Sequence, residues 1–132
     1  GTNGKGSVTA TVDAGLRAAG FRSARYTPPH LDRSEERFVI DGRECDTAAL
    51  QAAVERVRGA VDAMIARADL DAPATFFACT TAVGFELFAS AHVDIAVLEV
   101  GLGGRLDATN IVTPLVSAIT TIDYDHQAQL GS

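Results

Sequence analysis

Cysteine is scarce in this chain, with only Cys45 and Cys79 among 132 residues. Two thiols without metal-ligand spacing exclude a disulfide framework or a zinc module, and a reducing cytoplasm is the compartment to expect. No apolar run approaches the roughly 20 residues that cross a bilayer, and no signal-peptide pattern stands at the start. A membrane partner is therefore not expected. Positive charge is also in deficit: 11 Lys and Arg against 17 Asp and Glu leave a formal net charge of −6. That balance disfavours a nucleic-acid partner, which needs a basic surface. An anionic ligand must instead be drawn by local groups. Internal repeats and low-complexity tracts are absent. What remains, with 47% hydrophobic and 21% charged residues, is the composition of one ordinary globular domain with a core of its own.

The stretch that stands out is the first, GTNGKGS, from Gly1 to Ser7. Its glycines Gly1, Gly4 and Gly6 allow positive φ and a close approach of backbone amides to a ligand. Lys5 adds a cation, and Ser7 adds a hydroxyl where a helix should begin. Amides, a helix N-terminus and a lysine together make an anion cradle, with phosphate the expected guest. The string is close to the phosphate-binding pattern G-x-x-x-x-G-K-[ST], except that Gly6 intervenes between Lys5 and the hydroxyl. Such a loop normally follows a buried strand, so a strand before Gly1 in a longer protein is expected.

Val8, Val12, Leu16 and Ala19 recur at helical spacing from Ser7 onward and predict an inward-facing stripe, stopped by Gly20. Phe21 to Tyr26 reads as a strand that ends at Thr27-Pro28-Pro29. Arg37 to Cys45 reads as a hairpin, because Asp41-Gly42 suits a type I′ turn. Asp46 or Thr47 should cap a long amphipathic helix with the stripe Leu50, Val54, Val57, Val61, Met64 and Ala68. Thr75 to His92 is apolar nearly all round, as in a helix buried against a sheet. Ile95 to Leu98 is a continuous apolar run, as in an interior parallel strand. A further strand is expected from Leu115 to Thr120, leading to Asp123, Asp125 and His126. This order of helices and strands predicts an α/β domain.

Ligands of open α/β sheets sit beyond the carboxyl ends of strands. Glu99 stands at such an end, where a buried carboxylate needs compensation. Magnesium bridging to phosphate oxygens would supply it, and an ion pair with Arg105 is the structural alternative. His126 alone reads as structural or metal-facing, and Asp123 and Asp125 favour the metal. His30 carries a weaker signal. His92, at a helix end, reads as a partner of the helix dipole. Gly101, Gly103 and Gly104 lack the following helix of a dinucleotide fingerprint; they suit a close approach of backbone to phosphate or to a second substrate.

Taken in order, GTNGKGS, YTPPHL, ERFVIDG, TFF, LEVGLGGRLDATN and the late Asp125-His126 pair resemble the dihydrofolate synthase/folylpolyglutamate synthase family, the folate branch of the Mur ligase superfamily. The resemblance covers nearly the whole chain. It implies a three-layer α/β domain of P-loop NTPase type with a mostly parallel sheet, and an ATP- and magnesium-dependent ligase. In such an enzyme a carboxylate of dihydropteroate or a folate is phosphorylated by ATP, and L-glutamate then displaces the phosphate. By position, Gly1, Thr2, Asn3, Gly4, Lys5, Gly6 and Ser7 would cradle the phosphates, with Asn110 also on the nucleotide side. Lys5, Glu99 and His126 would be the catalytic set, and Ser7, Glu99 and His126 the metal ligands. Thr27, Pro29, His30, Leu31, Arg37, Arg105 and Asp107 would face the folate. Two positions depart from the family pattern: Pro28 replaces a serine that helps hold magnesium, and Ala78 replaces a glutamate. The resemblance also implies a downstream carbamylated lysine, a second domain closing over ATP, a monomer, and an isolated 132-residue segment without turnover. A Mur-type ligase for another acid and a nucleotide-binding module without catalysis are the rival readings.

Overall fold

The computed structural model describes residues 4–28, 33–70 and 73–120. Its first helix, α1, runs from Lys5 to Ala18 and is followed by strand β1, Ser23–Tyr26. A short 3-10 turn at Ser34–Arg37 leads into β2, Phe38–Ile40, and β3, Arg43–Glu44. Two helices follow, α2 at Thr47–Ala66 and α3 at Phe76–Ser90, and then β4 at Ile95–Leu98. The strands form one sheet in the order β3-β2-β1-β4.

The sheet is mixed. Only β1 and β4 pair in parallel, with Tyr26 opposite Leu98, whereas β1–β2 and β2–β3 are antiparallel. The expected mostly parallel sheet is thus corrected for the described residues. The reason is local: Asp41 and Gly42 both take positive φ, 50° and 76°, and close a tight hairpin that returns β3 beside β2. Leu115–Thr120 is a second correction. Despite its apolar sequence it forms no strand; Leu115 is 90% exposed, and no described strand offers it a ladder.

Alternation along β1 sends Ser23 toward α1 and Ala24 and Tyr26 toward α3. On the first face, Ser23 Oγ donates to Asp13 Oδ1 of α1 at 2.5 Å. On the second, Tyr26 and Phe38 stack at 5.8 Å between centroids, and Tyr26 OH lies 3.2 Å from Thr81 Oγ1 on α3. Gly84 makes this approach possible, because a Cβ there would stand 3.1 Å from the Phe38 ring. Cys45, Ala53, Val83, Leu87 and Phe88 complete the core. Both cysteines are free thiols, and burial pushes Cys45 up to about 11, so it stays protonated at neutral pH.

The helix stripes are rotated slightly from expectation. Thr9 and Asp13, not Val8 and Val12, are the buried positions of α1. Asp13 is polar there because it accepts from Ser23 of the sheet, and the Thr9 hydroxyl is satisfied by the Lys5 carbonyl of its own helix. In α2, Ala53 is buried and Val54 exposed. Caps follow the sequence closely. Asp46 accepts from the Ala48 and Ala49 amides, and Thr75 from the Ala78 amide. All three helices end in the same motif, with Gly20, Ala68 and His92 in left-handed conformation after the last turn. His92 therefore contributes a backbone role that its side chain did not announce.

Candidate functional site

The end of the sheet where β1 and β4 stop is also where α1 starts. Gly4 caps α1 at φ 74°, with no side-chain cap bond to the first-turn amides. The amides of Lys5, Gly6 and Ser7 are therefore free of intrahelical acceptors, as in any first turn, and they sit at the positive end of the helix dipole. Glu99 follows β4 directly. Its amide donates to the Tyr26 carbonyl at 2.9 Å, which carries the parallel pairing one residue past the end of β4.

The Glu99 side chain turns toward α1. A Cβ built on Gly6 would lie 3.6 Å from Glu99 Oε2, so the carboxylate rests against the first helical turn. Glu99 is 5% exposed, and among the described residues no side chain hydrogen-bonds or pairs with it. Burial raises its pKa above the usual carboxylate range, and the charges of Lys5 and Arg25 pull against that rise. The ion pair with Arg105 does not form; Arg105 is exposed on the following loop. Gly4, Lys5, Gly6, Ser7 and Glu99 are thus brought together.

The other expected residues lie apart or have local duties. Thr27 donates its amide to the Arg37 carbonyl at 3.1 Å, joining the end of β1 to the start of β2. Arg37 is buried, with its guanidinium 5.5 Å from the centre of the Phe76 ring. Asp107 is buried as well, and its carboxylate binds its own loop. One oxygen accepts the Gly101 and Leu102 amides, each at 3.0 Å, and the other accepts the Thr109 amide at 2.9 Å and hydroxyl at 2.5 Å. Asn110 donates to the Arg105 carbonyl at 3.0 Å. The segment from Gly101 to Asn110 is therefore a self-tied loop, with Phe77 packed so closely on Gly101 that a Cβ there would be 2.4 Å from the ring. Gly1, Thr2, Asn3, Pro29, His30, Leu31 and His126 lie outside the described residues.

No family model matches the chain. Similar proteins are found directly. The dihydrofolate synthase/folylpolyglutamate synthase of Escherichia coli is 41% identical over 131 residues, which is 99% of this chain and 29% of that protein. The structure of Escherichia coli FolC in complex with DHPP and ADP superposes with a TM-score of 0.84 at 41% identity, over 98% of this chain and 30% of that one. The bifunctional synthase of Yersinia pestis, complexed with AMPPNP and Mn ion, gives 0.73 at 41% identity, over 83% of this chain and 25% of that one. The chain is related to the dihydrofolate synthase/folylpolyglutamate synthases. It spans from 15% to 30% of the length of the curated relatives it matches.

Against the background of these synthases, two residues at or below the site, Asp13 and Arg25, had no signal of their own in the sequence. Asp13 is a charged residue on a helix until Ser23 is found opposite. Asp107, expected to face the folate, makes four hydrogen bonds within its own loop. Arg25 is one residue of a short strand until its Nε is found buried.

Proposed function

We propose that this chain is the nucleotide-binding part of a longer ATP-dependent ligase that joins L-glutamate to dihydropteroate or a folate. Its α1 and the preceding loop would act as a P-loop-type cradle, with other segments of the longer protein completing the domain and the glutamate side. The observation that carries the reading is Glu99, a buried carboxylate without a side-chain partner, resting on Gly6 at the amino end of α1. Kinship over most of the chain with synthases solved with ADP, AMPPNP and Mn ion supports it.

Magnesium fits this donor set. Among the described residues no cluster of three His, Cys, Asp or Glu side chains is poised for a metal. Magnesium commonly takes one or two carboxylates and completes its octahedron with phosphate oxygens and water. Glu99 and the Ser7 hydroxyl are the described groups that would hold it, and His126 is the group expected from outside them. When bound, the ion would neutralise the charge of the phosphates.

The chain's own groups account for positioning. The first-turn amides of α1 and Lys5 hold the phosphates, and the buried surroundings of Glu99 keep water away from the transfer. A carboxylate oxygen of the pterin-bearing acid forms a bond to the terminal phosphorus of ATP as the bond to ADP breaks. The glutamate amine then attacks the activated carbonyl carbon, the phosphate departs, and the amine loses a proton.

The test uses the full-length protein with ATP and L-glutamate, and phosphate release as readout. Release that requires dihydropteroate or tetrahydrofolate is expected. Absence of release with both acids, together with release on a different acid, would transfer the chemistry to another ligase of the same type.

A further inference from the structure

A second cation lies on the α1 side of the sheet. Arg25 is the third residue of β1, and alternation places it with Ser23 on the face that α1 covers. Parallel pairing sets Arg25 opposite Val97, two residues before Glu99. Arg25 and Glu99 therefore share a face at the carboxyl ends of neighbouring strands. The guanidinium is near enough for its charge to act on Glu99, yet the two form no ion pair.

Arg25 Nε is buried and has no acceptor; among the described residues it is the one buried side-chain nitrogen or oxygen so placed. Buried donors are nearly always paired, so a group in this state calls for a partner. A guanidinium offers donors only, in a rigid fork, and it stays charged at every working pH. Its missing partner is therefore an acceptor and by preference an anion. Phosphate and carboxylate both match that fork, and among the described residues no carboxylate accepts from Arg25 Nε.

We propose that Arg25 is a phosphate-binding residue of the nucleotide site, with Nε donating to a phosphate oxygen while Lys5 and the first-turn amides of α1 hold the others. The proposal rests on the nucleotide reading above and adds to it a cation that the glycine-rich loop does not contain.

Calorimetric titration of the full-length protein with Mg-ATP and Mg-ADP tests it. Arg25→Met should weaken nucleotide binding by about tenfold or more, the usual range for losing a charge-assisted hydrogen bond. The KM for ATP should rise in step, with the KM for glutamate unchanged, and Arg25→Lys should recover part of the loss. The thermal midpoint without nucleotide should stay near that of the wild type, while its rise on adding Mg-ATP shrinks. Wild-type affinity in Arg25→Met would overturn the proposal. So would a lowered midpoint without nucleotide combined with an undiminished rise, since that marks a purely structural residue. If Arg25→Met does not fold, Arg25→Gln takes its place under the same criteria. A wild-type protein that binds no Mg-ATP would overturn the nucleotide reading itself, so the two failures are distinguishable.

Discussion

Asp13 and Ser23 share a hydrogen bond of 2.5 Å, with both side chains buried between α1 and β1. Arg17 Nε lies 3.4 Å from the second carboxylate oxygen, so the charge has a half-exposed partner. This pair fixes the helix that carries the cradle to the strand that ends beside Glu99. Asp13→Ala leaves the Ser23 hydroxyl with only the backbone carbonyl of residue 13 at 3.5 Å and should cost about 2 kcal/mol, the scale of a buried group left poorly satisfied. Asp13→Asn keeps an acceptor and should cost less than half as much. Urea unfolding reads both values, and equal losses would mean that charge, not the hydrogen bond, does the holding.

Asp107 should behave as the organiser of its loop. Four bonds converge on one carboxylate, and two of them hold the successive amides of Gly101 and Leu102. Asp107→Ala should release these amides and that of Thr109 to hydrogen exchange, with protection falling by about tenfold or more for each bond lost. Amides on α2 should be unaffected. Retained protection at Gly101 and Leu102 would show that Phe77 packing alone holds the loop.

The elements legible in the sequence were those written locally. Asp46 and Thr75 announced their helices, Asp41-Gly42 announced the hairpin, and Ile95 to Leu98 announced β4 residue for residue. The Gly6–Glu99 meeting was foreseen in kind, because a glycine-rich cradle and a strand-end carboxylate both belong at one end of a sheet. What stayed hidden depended on partners distant in sequence. Val8 and Val12 looked inward by hydrophobicity, but the buried positions of α1 are Thr9, whose hydroxyl donates to the Lys5 carbonyl of its own helix, and Asp13, which accepts from Ser23 of the sheet. Leu115 to Thr120 has the composition of a strand, yet composition cannot supply a neighbour to pair with. Arg25 was invisible for the same reason, since only the fold brings β1 beside β4.

Ala68 offers a stability gain. It follows α2 with φ 57°, in the left-handed region where a Cβ is strained. The Ala68 and Asp69 amides close the helix end onto the Ile65 and Met64 carbonyls at 3.0 and 2.9 Å, so the conformation is fixed by hydrogen bonds. Glycine adopts it freely but costs more entropy on folding, and the difference should leave Ala68→Gly more stable by about 0.5 kcal/mol. Ala68 is exposed and is none of the groups proposed for the nucleotide, so nucleotide affinity should not change. A loss of stability in chemical denaturation would show that this helix end relaxes in solution.

Glu99 couples stability to pH in a direction that can be worked out. Burial raises its pKa in the folded protein above the ordinary value of about 4.5, so over the interval between the two the native state holds the extra proton. The stability it contributes is complete below about 4.5 and declines as pH rises through the raised native value. Without nucleotide and metal, Glu99→Gln should remove this decline and unfold at higher denaturant than the wild type near neutral pH. The same variant should lose turnover by more than about a hundredfold, since even outer groups around a metal cost tenfold to a hundredfold when removed. Opposite signs for stability and activity are the signature of a carboxylate retained for function at the cost of the fold. A Gln variant less stable than wild type at neutral pH would instead mean that Lys5 and Arg25 already more than offset the burial, and Glu99 would then be a structural anion.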